Sequence, residues 1–181
     1  MKIFEPKNVS IGKDVKKIDD YKNFIIKYFK NKESFDLTID FYKKYNFKFI
    51  PRLIKSDLDN LMIKQEYVGN LLSLNSNLPD SWEKQINNIR KEFIKNNIYI
   101  EDLRFLPYTP LIVNNITVYK NKIYIVDLTM CIKADEKYIN YKFDNLIFQI
   151  NSYLFLLNYI NYIFLIIPHL LLHIIILIFN W

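Results

Sequence analysis

All 44 Asp, Glu, Lys and Arg residues of this chain fall between Lys2 and Asp144, and the 37 residues from Asn145 to Trp181 carry none. A stretch without charge has to be covered, either by the rest of the protein or by lipid. Its most apolar part, Tyr159 to Phe179, is 21 residues long and is interrupted only by Asn161, Pro168, His169 and His173. As a helix it would reach roughly 31 Å, the thickness of a bilayer's hydrocarbon core. Tyr159 and Tyr162 at one end and Trp181 at the other stand where interfacial aromatic belts form. The expectation is a tail, residues 151–181, that anchors the protein in a membrane with its lysine-rich body on the cytoplasmic side. The competing expectation is a soluble intracellular domain in which the tail forms two buried helices broken at Pro168. The 144 preceding residues are few to cover so much apolar surface, which favours the anchor.

Composition narrows the chemistry. One cysteine, Cys131, excludes a disulfide framework and a cysteine zinc site, and its apolar surroundings suit a small buried side chain. Two glycines, Gly12 and Gly69, exclude a Walker A loop, a dinucleotide fingerprint and a complete Gly-rich kinase loop. His169 and His173 share a helix face, but no acidic third ligand lies in the tail, so no metal is assigned to them. The net charge of +6 rests on 22 lysines and only three arginines, Arg52, Arg90 and Arg104. A nucleic-acid surface would use more arginine for bidentate contacts, so nucleic acid is not expected as a partner. Met1 to Ile18 is charged and holds no apolar run, so no secretory signal is expected there.

Along the body, short β-branched or aromatic runs at Met1 to Phe4, Val15 to Ile18 and Asn23 to Phe29 predict strands. Glu33 to Tyr45 carries Phe35, Ile39 and Tyr42 at helical spacing. Phe49 to Lys55 and Leu61 to Glu66 return to strand character across the turn at residues 56–60. Pro79-Asp80-Ser81 then opens a helix whose apolar stripe is Trp82, Ile86, Ile89 and Phe93, at steps of four, three and four. Ile116 to Val118 and Lys122 to Val126 flank a turn. The predicted class is α+β.

This order of elements resembles the protein kinase-like fold, and several junctions carry the resemblance. Phe24-Ile-Ile-Lys27-Tyr-Phe is similar to the strand that bears the ATP-phosphate lysine, with Glu33 or Asp36 on the next helix as its candidate carboxylate partner. Glu66-Tyr67-Val68-Gly69 resembles the hinge between lobes, where backbone groups of Glu66 and Val68 would hold adenine. Asn115 to Thr129 resembles the stretch running from the metal-binding asparagine, through a hairpin, to the aspartate of the Asp-Phe-Gly motif, here Asp127. An amide oxygen and a carboxylate twelve residues apart on a tight hairpin can converge on one magnesium ion. Asp102 resembles the catalytic-loop base that accepts the substrate hydroxyl proton.

The resemblance implies a kinase-like domain over residues 1–150, with a small antiparallel β lobe to about residue 69 and a reduced helical lobe over 70–150. It implies ATP and magnesium as cofactors. Several positions depart from the family pattern. Ile100-Glu101 stand where His-Arg precede the aspartate, and Asp102 and Asn115 are thirteen apart, wider than is usual. The glycine loop survives only as Ser10-Ile-Gly12, and Leu128-Thr129 replace Phe-Gly. These departures point away from catalysis. The expected function is that of a degenerate, membrane-tethered kinase-like protein, a pseudokinase that binds nucleotide weakly or serves as a docking scaffold for a protein partner. The alternatives are an active atypical phosphotransferase and a tail-anchored adaptor without catalytic ancestry.

Overall fold

In the computed structural model the described backbone comprises residues 15–20, 23–74, 77–103, 105–106 and 112–179, with side chains described over the same ranges except 15–20, 105–106, 157–158 and 160–179. The predicted strand at Met1 to Phe4 and the Ser10-Ile-Gly12 loop lie outside these residues. Among the described residues the architecture is mixed α+β, with small antiparallel sheets and three helices.

Strands β1 (Val15–Asp20) and β2 (Phe24–Phe29) pair antiparallel, and β2 pairs with β4 (Met62–Glu66), which pairs with β3 (Leu53–Asp57). The sheet order is β1-β2-β4-β3. Helix α1 (Lys32–Lys44) links β2 to β3. Asn31 caps its start, accepting from the Ser34 N–H at 2.9 Å, and Lys43 and Lys44 complement the dipole at its end. α1 turns Ser34, Phe35, Thr38 and Phe41 inward. Phe35 meets Phe29 of β2 edge to face, ring centres 5.9 Å apart, with Ile63 beside them. The predicted strand from Phe49 begins only at Leu53. Phe47 and Phe49 instead lay their rings against Phe93 of the larger core, at 6.2 and 5.8 Å.

The second half is organised around α2 (Trp82–Asn96), whose buried residues are Trp82, Ile86, Ile89 and Phe93, the stripe read from the sequence. Asn97 ends the helix in the left-handed conformation and returns its N–H to the Phe93 and Ile94 carbonyls. Strands β5 (Asn70–Ser73), β8 (Ile112–Tyr119) and β7 (Phe105–Leu106) form a second sheet, with β9 (Lys122–Ile125) also paired to β8. Lys120 and Asn121 make the β8–β9 turn with φ of 49° and 62°, as a two-residue hairpin requires. β6 (Ile98–Ile100) pairs antiparallel with β10 (Cys131–Lys133). Burial raises the pKa of the half-buried Cys131 thiol to about 11, with the Lys44 charge opposing.

Helix α3 (Glu136–Phe179) packs Ile139, Phe143, Leu146 and Ile150 into the core beside Phe93 and Tyr99. Arg90 of α2 binds Asp144 at 2.8 Å. The anchor expectation fails here. Among the described residues no helix is long and apolar enough to cross a membrane. The physical reason is that the apolar run is not a separate segment. It continues, across residues 150 and 151, a helix that starts at Glu136, carries Lys142 and Asp144, and is fastened to the body by its first four turns.

Between β4 and β5 the chain turns through Gly69 at φ +85°, and a Cβ there would lie 1.9 Å from the Val118 carbonyl oxygen. Gly69→Ala is therefore expected to lower stability by more than about 2 kcal/mol in urea unfolding, because both the backbone angle and the space oppose it. A change within about 0.5 kcal/mol would contradict this packing.

Candidate functional site

Lys27 lies on an inner strand of the four-stranded sheet, opposite Ile63, and only 8% of its surface is exposed. Its neighbours Ile25 and Ile63 and the cross-strand Gln65 share its face, since directly paired residues point the same way. Extended through that apolar layer, its Nζ donates a hydrogen bond to the carbonyl of Val126, with Asp127 as the nearby carboxylate. Burial drives the ammonium's pKa below its ordinary 10.5, and the Asp127 charge opposes that without cancelling it.

Asp127 follows the end of β9. Its Oδ1 accepts from the Thr129 N–H at 3.2 Å and the Thr129 hydroxyl at 2.9 Å, a local Asx turn that fixes the carboxylate and leaves Oδ2 to face other groups. Thr129 is itself buried.

Asp102 leaves β6 in a tight turn. Glu101 beside it donates its N–H to the Met130 carbonyl at 3.1 Å and is gripped by α3, through the Tyr138 hydroxyl and through Lys142 at 3.5 Å. Two amides converge on Asp102. Asn114 Nδ2 lies 3.2 Å from its Oδ2 and Asn115 Nδ2 lies 3.4 Å from the same atom, and both also reach its backbone carbonyl, at 3.3 and 3.4 Å.

Two successive strand residues should point to opposite faces. Here they do not, because Asn115 has φ +58° and the β5–β8 register slips opposite it, between Leu71 and Leu72. This is a bulge, and asparagine is among the few residues that accept the left-handed angle it needs. The Val126 N–H closes the bulge on the Asn115 carbonyl at 3.0 Å. One residue therefore joins the halves of the site: Val126 accepts from Lys27 through its carbonyl, and its N–H donates to the Asn115 carbonyl.

The structure thus brings Lys27, Asp102, Asn115 and Asp127 into one linked set. It does not join Glu33 or Asp36 to Lys27, among the described residues. Glu33 is exposed in the first turn of α1, whose buried positions are Ser34, Phe35, Thr38 and Phe41. Glu66 closes β4, its N–H donating to the Arg52 carbonyl at 2.9 Å. Val68 is buried, and the intervening Tyr67 N–H bonds to the Asn23 carbonyl at 3.2 Å. Asn114 and Gln65 escaped sequence reasoning. The Asn-Asn doublet inside a β-branched run was the available signal for the first. Gln65, 1% exposed with its Nε2 unpartnered among the described residues, gave none.

Among the described residues no group of three or more His, Cys, Asp and Glu could hold a metal ion. A carboxylate oxygen of Asp127 and an amide oxygen of Asn115 fit magnesium in donor type, since that ion takes few protein ligands and completes its shell with phosphates and water. No family model matches the chain, and no curated protein matches it in sequence.

The pH dependence follows from Lys27. Below its lowered pKa, folded and unfolded chains both carry the proton and the full burial penalty applies. Between that value and 10.5 the unfolded chain binds more protons, so stability rises with pH. Wild type is expected to gain on Lys27→Met as pH is raised toward 10.5 in urea unfolding, tyrosine ionisation being common to both. A difference that does not change with pH would show that Lys27 is not buried as a cation.

Proposed function

We propose that this chain is a degenerate protein kinase-like domain that binds a nucleotide weakly, or serves as a docking scaffold for a protein partner. The single observation that carries the reading is the Lys27–Val126–Asn115–Asp102 linkage with Asp127 beside it, five residues drawn from β2, the β6 turn, β8 and the end of β9. The order of elements supports it as well: a lysine strand, a helix, two strands, a connector at residues 66–69, a long helix, an aspartate turn, and a hairpin bounded by an asparagine and an aspartate.

In this reading Lys27 gives a compact positive charge to phosphate oxygens. Asp127 and Asn115 would hold magnesium, which when bound would neutralise charge on those phosphates. Backbone groups of Glu66 and Val68 would receive the base. Asp102 is oriented by two amides, so it is positioned, but one of its oxygens is already engaged.

Weak binding follows from how Lys27 is held. Lacking a carboxylate partner on α1, the ammonium rests on the Val126 carbonyl, and it must leave that acceptor to meet a phosphate. Positioning of charge is nearly all that phosphoryl transfer asks of a protein, so a lysine parked in this way argues for binding over turnover.

Thermal unfolding with magnesium and ATP tests the proposal. With ligand at about ten times its dissociation constant, the midpoint of wild type is expected to rise by roughly 3–6 °C, and Asp127→Ala is expected to lose the rise. No rise in wild type, or an equal rise in the variant, would reject nucleotide binding at this site.

A further inference from the structure

Two cavities adjoin, with Lys48 and Tyr124 lining both, and neither is lined by Lys27, Asp102, Asn115 or Asp127. The first, about 590 Å³, lies beside the end of α1 and strand β3. The second, about 510 Å³, lies between the start of α2 and the β8–β9 turn. Their lining includes Lys43, Lys48, Arg52, Lys84 and Lys122 against one carboxylate, Glu66. Lys43 is paired with Asp40 at 3.5 Å, but among the described residues Lys48, Arg52, Lys84 and Lys122 make no ion pair. Unpaired like charges along one trough call for an anionic occupant.

Two further observations decide which kind. Tyr45, Phe47 and Phe49 stack on one another at 5.4 and 4.9 Å, with ring planes 9° and 11° apart, so their inner faces are already used and offer no platform for bases. Strand β3 is one edge of the four-stranded sheet, with β4 as its one ladder partner among the described residues, and its residues Leu53 and Ser56 line the first cavity. An edge strand presents free main-chain donors and acceptors to an extended polypeptide. We propose that the trough docks an extended acidic peptide segment of a partner protein, with Lys48, Arg52, Lys84 and Lys122 meeting its carboxylates. The proposal does not depend on nucleotide binding.

The test is fluorescence anisotropy with the full chain, using a labelled Glu- and Asp-rich peptide and a single-stranded oligonucleotide of equal charge. The peptide is expected to bind, to weaken with salt, and to bind about tenfold less well to Lys48→Glu/Lys84→Glu. Lys91→Glu/Lys95→Glu, which changes the same charge on exposed positions of α2 outside the trough, should bind as wild type does. Arg52→Gln/Lys122→Glu provides a second variant on exposed positions and should also weaken binding. No binding of the peptide would overturn the proposal. So would equal loss in the Lys91/Lys95 variant, or tighter binding of the oligonucleotide with loss in the same trough variants.

Discussion

A lysine ammonium held under a β-sheet, on the carbonyl of a residue 99 positions later in the chain, ties the two halves of this protein together. Removing a cation from water is expensive, and it persists only where a carbonyl and a carboxylate compensate. Val126 and Asp127 supply both. The same demand explains why Asp127 is pinned by Thr129, since a carboxylate free to rotate would offset the burial less reliably. The four-stranded sheet and its α1 helix need a core of their own only around Phe29, Phe35 and Ile63, and Lys27 connects them to the rest.

The polar site in the second half owes its local shape to the left-handed Asn115. The bulge at Asn115 turns Asn114 and Asn115 toward Asp102 and leaves the Asn115 carbonyl for Val126. Pairing through β8 thus fixes where the lysine's acceptor lies, and Glu101, held by Tyr138 and Lys142, fixes Asp102 from the other side. Long-range contacts converge on short segments, so small changes in the hairpin would reach all four polar groups together.

Much of this was legible in the residues. The α2 stripe emerged because 3.6-residue periodicity over four turns has few alternatives, whereas Lys27, Asn115 and Asp127 were singled out by the resemblance of their surroundings to kinase-like motifs. What stayed hidden had physical reasons. Strands β5, β6 and β10 are three or four residues long, too short for a period of two to register. A bulge is a property of pairing and not of local sequence, so the Asn114-Asn115 doublet alone did not show that both amides meet Asp102. The candidate partners Glu33 and Asp36 were chosen by helix position without knowing which face met the sheet. The tail misled because its apolar run was judged alone, whereas Ile139, Phe143, Leu146 and Ile150, at steps of four, three and four, announce a helix packed on the body.

The central claim is that Lys27 is a buried cation balanced by Asp127. It is tested most directly by following the Lys27 side-chain carbon next to the amine by NMR through an alkaline titration. The expected midpoint lies below 10.5 in wild type and still lower in Asp127→Asn, because removing the carboxylate's charge leaves burial unopposed. A midpoint at 10.5 that Asp127→Asn leaves unmoved would contradict it.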